Sequence, residues 1–138
     1  MERTLLIVKP DGTERRLTGM ILARVQQSGF QVRGLKLIRI TPARARKFYA
    51  VHEGKPFLDE LVAFMSSGPV VPMVLEKENA VRDLRALVGA TDPREAACGT
   101  IRYDWGLDKG KNTVHASDSV ENGRTESAFF FMEEELAG

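Results

Sequence analysis

One stretch of this chain gathers side chains that could do chemistry: Asn112-Thr113-Val114-His115-Ala116-Ser117-Asp118, with Gly110 and Lys111 just ahead of it. An imidazole is largely neutral near pH 7 and can attack through one ring nitrogen while an acceptor holds the other. An acid on a following helix would supply that acceptor, and Glu126 is the candidate. If the electrophile is a phosphoryl group, several negative charges must be neutralised and the transfer held in line. Lys9, Arg85 and Arg102 could supply the charge, Asn112 a hydrogen bond and Thr91 a contact to phosphate. Spacing alone does not single these cations out from the 20 Lys and Arg of the chain.

Other chemistries find no pattern. The sequence has neither a glycine-rich phosphate loop ending in Lys-Ser or Lys-Thr nor a G-x-G-x-x-G turn. Two histidines and one cysteine do not compose a zinc site. Neither Ser66-Ser67 nor Ser117 lies in a nucleophile elbow. A net charge of +1 gives no global attraction for nucleic acid or an anionic membrane. The lone Cys98 suits a reducing cytoplasm, and the apolar run before Lys9-Pro10 is too short for a leader or a membrane span. The 138 residues, 43% hydrophobic and 28% charged, fit one domain spanning 1–138.

The elements that must position these residues follow from periodicity and punctuation. Thr4 to Val8 reads as a buried central strand stopped by the turn residues Lys9-Pro10-Asp11-Gly12, so Lys9 leaves the strand end toward whatever cleft lies there. Leu17, Met20, Ile21, Val25 and Ser28 have helical spacing, with Gly29 as the stop. Gln31 to Ile40 alternates in its second half, as a half-exposed antiparallel strand does. Thr41-Pro42 opens a helix carrying Ala45, Phe48, Tyr49 and His52 on one side, and Pro56-Phe57 opens another with Leu58, Leu61, Val62 and Met65 inward. Val70 to Leu75 is a third strand, and Pro72 inside it predicts an edge position or a bulge. Ala80, Val81, Leu84 and Val88 make an amphipathic helix stopped by Gly89, with Arg85 beside the apolar stripe. Ala90 to Lys111 shows no periodicity and predicts a long loop. His115 then ends a short strand, and Asp118 with Glu121 predicts the capping box of a helix from about Ser119 to Phe129. Asn122-Gly123 predicts a loose first turn there, since glycine costs about 1 kcal/mol relative to alanine. The order predicts an α+β fold: a ferredoxin-like β-α-β-β-α-β, with helices on a four-stranded antiparallel sheet. Too few strands and no glycine-rich strand-helix turn count against a doubly wound sheet.

Against that background, Asn112-x-x-His115-x-Ser117-Asp118-Ser119 resembles the active-site signature of the nucleoside diphosphate kinases. So, in order, do Leu6 to Gly12, Tyr49-x-x-His52 with Lys55-Pro56-Phe57, Ser67 to Val71, Gly89 to Pro93, and Gly99 to Arg102. The resemblance implies a ping-pong transfer in which His115 takes the γ-phosphoryl of a nucleoside triphosphate, usually ATP, on Nδ1 and passes it to a nucleoside diphosphate. It implies that Lys9, Tyr49, Arg85, Thr91, Arg102 and Asn112 surround phosphates and sugar, that Phe57 stacks on the base, and that Glu126 and Ser117 orient the histidine. It implies Mg²⁺ carried by the nucleotide phosphates rather than by a protein cage, and a homo-oligomer, tetramer or hexamer. His52 is expected to be structural or near the site mouth rather than catalytic. The chain departs from the family pattern at Ala116, where glycine is common, at the bulky Tyr103-Asp104-Trp105 after the arginine, and at Lys109, where an apolar residue is expected against the base. The competing expectation is a catalytically silent family member serving as an oligomeric regulatory or nucleic-acid-binding scaffold, and near-zero charge counts against strong nucleic-acid binding. A phosphohistidine carrier acting on a protein is a third; Tyr49, Phe57 and Thr91 would then have no nucleotide to hold.

Overall fold

Apolar residues run without a break from Leu5 to Val8, so this strand must be covered on both faces. In the computed structural model, which describes residues 1–138, it is the inner strand β1, Glu2–Val8. The chain continues through α1 (Pro10–Glu14), α2 (Thr18–Gln27), β2 (Gln31–Leu35), α3 (Pro42–Phe48), α4 (Leu58–Met65), β3 (Val71–Lys77), α5 (Ala80–Val88), α6 (Ile101–Trp105), β4 (Val114–Ala116) and α7 (Val120–Phe130). The four strands form one sheet in the order β2-β3-β1-β4. Every pairing in it is antiparallel, which is the ferredoxin-like arrangement expected.

The pleat sends alternate side chains of β1 to opposite faces. Leu6 and Val8 enter a core with Ile21 and Val25 of α2, Leu84 and Val88 of α5, and Val114 and Ala116 of β4. Leu5 and Ile7 enter a second core with Ala45 of α3, Val62 and Met65 of α4, and Phe130 of α7. Val114 and Ala116 belong to the first core, so His115 between them faces the second, where α3 and α7 lie. In the β1–β4 register its partner is Ile7.

Several expectations are corrected. β3 is an internal strand and not an edge. Pro72 is tolerated because an antiparallel residue turns its N–H and C=O positions to the same side. The Pro72 carbonyl accepts from Lys36 N on the β2 side, so the missing donor falls where β2 has already ended at Leu35. The one register shift in that pairing lies between Val32 and Gly34, away from the proline. The expected strand Gln31 to Ile40 is correspondingly short, and only an isolated Ile38–Val70 bridge extends it. Lys9 to Gly12 is more than a turn: Pro10 sits in the first turn of α1 with Lys9 as its cap residue. Met20, expected within the α2 stripe, is exposed. His52 lies in a single 3₁₀ turn, Ala50–His52, beyond α3. The stretch from Ala90 to Lys111 holds a 3₁₀ turn, Pro93–Glu95, as well as α6, whose cap Thr100 accepts from Tyr103 N.

The last helix is capped one residue later than expected. Ser119 Oγ accepts from Asn122 N at 3.0 Å, while Asp118 accepts from the Asn122 side chain. Gly123 is not a weak point. A Cβ there would stand 3.1 Å from the Arg3 carbonyl and 3.4 Å from Thr4 Cα, so the absent side chain lets α7 lie directly on β1. No helix is long and apolar enough to cross a membrane.

Candidate functional site

Strand β4 presents His115 half-buried, and α7 returns Glu126 to meet it. His115 Nε2 and Glu126 Oε1 are 2.8 Å apart, and Ser117 Oγ donates to the same oxygen at 2.6 Å. An ionised carboxylate only accepts, so it places the proton on Nε2 and leaves Nδ1 with its lone pair in the neutral ring. Aromatic edges fix the plane of the ring. Phe48 approaches with centroids 5.4 Å apart and Tyr49 with centroids 6.1 Å apart, both edge-on. Tyr49 is buried beside the Glu126 charge, and burial first, then that charge, pushes its hydroxyl above the ordinary range.

A second group forms where β1 ends. Lys9 Nζ donates to the Gly110 carbonyl and to Asn112 Oδ1, each at 2.8 Å. The amide nitrogen of Asn112 donates in turn to the Thr91 carbonyl at 3.0 Å. Burial lowers the Lys9 pKa to about 8; Asp11 opposes this and the Arg102 charge adds to it. Arg102 spans the two groups, donating to Gly89 O at 3.1 Å and to Val114 O at 2.9 Å, the residue before His115. Its Nε is buried without a partner. Burial, and then the neighbouring Arg85, lower its pKa to about 10. Cations crowded in this way inside a partly dry site would be relieved by an anion among them.

Toward solvent the aromatic series continues. Tyr49 stacks on His52 at 6.2 Å, and His52 meets Phe57 edge-on at 5.1 Å. Phe57 is 46% exposed, so its ring is available to a planar ligand. Lys55 Nζ lies 5.8 Å from the ring centroid. Nearly all the residues singled out in the sequence therefore gather around β4 and the end of β1. Arg85 and Phe57 make no direct contact with His115 and flank the site instead. Thr91 contributes its carbonyl here while its side chain stays exposed. Lys109 is exposed, and its charge is felt by Asp92.

Sequence reasoning missed Phe48 as a wall for His115, and Asp11 and Thr113 beneath Lys9. Phe48 carried a usable signal, since it precedes Tyr49 on the inner side of α3. Asp11 carried little, because Asp before Gly in a turn is ordinary.

Known proteins share this sequence pattern and fold. The model of a family described as nucleoside diphosphate kinase matches residues 2–136. A nucleoside diphosphate kinase of Chlorobaculum parvum is 54% identical over 136 residues, covering 99% of this chain and 97% of that protein. One of Salinibacter ruber is 55% identical over 135 residues, covering 98% and 95%. The crystal structure of the Aquifex aeolicus nucleoside diphosphate kinase matches with a TM-score of 0.97 at 51% identity, with 99% of each chain covered. A halophilic nucleoside diphosphate kinase from Halobacterium salinarum, solved in complex with CDP, matches with a TM-score of 0.95 at 47% identity, covering 99% of this chain and 91% of that one.

Proposed function

This chain belongs to the nucleoside diphosphate kinase family and is an enzyme of that kind, and from that premise we propose that the γ-phosphoryl group travels between nucleotides on His115. The observation that carries the proposal is the 2.8 Å bond between His115 Nε2 and Glu126. With Nε2 engaged, Nδ1 is the nitrogen left to attack. In the first half-reaction the N–P bond forms as the bond from the γ-phosphorus to the bridging oxygen breaks, and the diphosphate departs. In the second, a terminal oxygen of the incoming diphosphate attacks and the N–P bond breaks. The ring gains positive character while it carries the group, and the Glu126 carboxylate offsets that charge. Ser117 holds the carboxylate in place through its hydrogen bond.

Lys9, Arg85, Arg102, Thr91 and Asn112 bind the phosphates in this reading, with Tyr49 near the sugar. The crowding of Lys9, Arg102 and Arg85 supports it: burial and then the Arg102 charge depress Lys9, burial and then the Arg85 charge depress Arg102, and phosphate oxygens are anions that relieve such a cluster. Phe57 offers a π-face to the base, a surface that any base can use. The CDP held by the halophilic relative is a ligand of the class expected here. Mg²⁺ fits as a passenger on the phosphates. No cluster of three or more His, Cys, Asp or Glu side chains forms a cage for it, and the groups around His115 are cations and amides that suit phosphate oxygens. When bound with the nucleotide, Mg²⁺ would supply neutralisation of phosphate charge beside that of Lys9, Arg85 and Arg102. The single exposed Cys98 supports placement in a reducing cytoplasm, and one sheet bearing a core on each face supports reading residues 1–138 as one domain.

Incubation with ATP and Mg²⁺ is expected to leave an acid-labile, base-stable phosphoenzyme that His115→Ala does not form. A wild-type protein that exchanges phosphate without such an intermediate would overturn the proposal. None of the comparisons supports a catalytically silent scaffold.

The same reading includes assembly into a homo-oligomer, a tetramer or a hexamer. Support comes from β2, which leaves one edge of the sheet unpaired while Leu35 and Leu37 are 44% and 70% exposed. A cavity of about 620 Å³ opens beside it, between Pro10, Thr13, Leu35, Leu37, Ser67 and Pro69. An open strand edge with apolar side chains invites a partner.

A further inference from the structure

We propose that Asp11 is a positioning residue for the phosphate-binding pair Lys9 and Asn112, holding Thr113 in the left-handed backbone conformation that brings Asn112 against Lys9. The inference rests on the site reading given above and assigns it a residue that touches neither nucleotide nor histidine.

Thr113 is where the backbone is strained. Its φ is +79°, one of three non-glycine residues of the chain in that region, and the only β-branched one. A branched Cβ disfavours this conformation, so something must hold it. Its own side chain does not, because the fully buried Oγ1 has no hydrogen-bond partner. Val114 N donates to the Asn112 carbonyl at 2.9 Å across it, and two further bonds hold it from outside. Thr113 N donates to Asp11 Oδ2 at 3.0 Å, and Thr113 O accepts from Lys9 N at 2.9 Å. Both partners come from the turn that follows β1, which therefore grips Thr113 from one side.

Asp11 is buried for this contact. It is 4% exposed, forms no ion pair within 4 Å, and its Oδ1 has no partner. A carboxylate left half-satisfied in the interior is costly unless the bond it does make is needed. Burial accordingly raises its pKa, against the opposing influence of the Lys9 charge and the Thr113 amide. The packing is equally committed: a Cβ on Gly12 would stand 2.8 Å from Val8 Cγ1 and 3.1 Å from Thr113 O. The outcome lies one residue away on each side. Asn112 Oδ1 reaches Lys9 Nζ at 2.8 Å, and Val114 starts the strand that carries His115. Releasing Thr113 to an ordinary φ would rotate the Asn112 side chain away from Lys9.

The test is a double-mutant cycle on phosphate exchange between ATP and dTDP with Mg²⁺. Asp11→Ala is expected to lower kcat/KM by about tenfold or more, because small misplacements of positioning groups are costly. Asp11→Asn, whose amide oxygen can still accept from Thr113 N, is expected to stay within about threefold of wild type. In a Thr113→Gly background, where glycine takes a positive φ without strain, the same Asp11→Ala change is expected to cost less than about threefold. Should Asp11→Ala fail to fold, Asp11→Leu fills the volume without an acceptor and takes its place in the cycle. An equal loss in both backgrounds, an Asp11→Asn variant as impaired as Asp11→Ala, or an Asp11→Ala variant with wild-type kcat/KM would each overturn the inference. Lys9→Ala separates this from the site reading. If that variant exchanges phosphate normally the site reading fails, whereas a dead Lys9→Ala beside an unaffected Asp11→Ala removes only the role of Asp11.

Discussion

Burial and charge oppose one another at Lys9. The side chain is 6% exposed, and burial brings its pKa down to about 8 from an ordinary 10.5. The unfolded chain therefore binds the proton more tightly than the folded one. The folded state is penalised in full below about pH 8, and the penalty disappears as pH rises toward 10.5. Lys9→Met is expected to abolish most exchange activity yet to resist urea better than wild type at pH 7, with the advantage shrinking between pH 8 and 10.5; equilibrium unfolding across that range checks it. The same titration belongs in the activity profile of the free enzyme, where kcat/KM is expected to fall as pH rises through about 8 and Lys9 loses its charge. Glu126 has a different task, since it meets only the histidine and Ser117. Glu126→Gln can present the imidazole with a donor as readily as an acceptor and so no longer fixes the tautomer. Its kcat is expected to fall on the order of 10- to 100-fold, the loss typical when a group orienting an imidazole is removed, with single-turnover phosphoenzyme formation as the measurement.

Among the elements, α7 has the narrowest tolerance, because it must lie close enough to β1 for Glu126 to reach across. Gly123→Ala gains about 1 kcal/mol in helix propensity. It also drives a methyl group into the Arg3 carbonyl, where overpacking costs about 1–3 kcal/mol. The neighbour is backbone of an inner strand and cannot step aside, so net destabilisation and a lower kcat are expected in urea titration and steady-state kinetics. A variant more stable than wild type would show that the helix has room to spare. Gly123 also shows where the sequence stopped being legible. Read along the chain, Asn122-Gly123 is a defect in a helix; only the approach of β1, more than a hundred residues earlier, makes it a requirement. The cap is a local version of the same difficulty. Asp118, Ser119 and Glu121 all offer cap chemistry, and only the bond from Asn122 N shows that Ser119 takes the position. Pro72 misled for a third reason, because whether a missing donor matters depends on where the neighbouring strand ends. By contrast, the covered β1, the helix stripes and the His115 stretch were legible because their signals are periodic or local. Lys9, Asn112 and Glu126 came from charge and hydrogen-bonding logic with the family resemblance, while Phe48 and Asp11 needed the tertiary contacts to be seen.

For the molecule as a whole, the free edge at β2 is the feature that looks outward. Leu37→Glu placed on that edge is expected to shift sedimentation toward a smaller species while leaving phosphoenzyme formation per chain nearly intact, since His115 lies at the opposite end of the strand order. Unchanged sedimentation would locate the contact elsewhere. The opposite edge has a subtler property. β4 is three residues long and joined to the sheet through a single neighbour, with Ile7 opposite His115. Side chains alternate strictly along a strand, so this enzyme's activity is a matter of odd and even. Shifting β4 by one position along β1 would keep every catalytic group in the composition and keep the strand paired. It would also exchange the imidazole for a valine or alanine methyl at the mouth of the cleft and bury the imidazole among Ile21, Leu84 and Val88. Length changes in the loops between β1 and β4 can therefore pass with little consequence, but the register that sets His115 opposite Ile7 is as much a part of the catalyst as His115 itself.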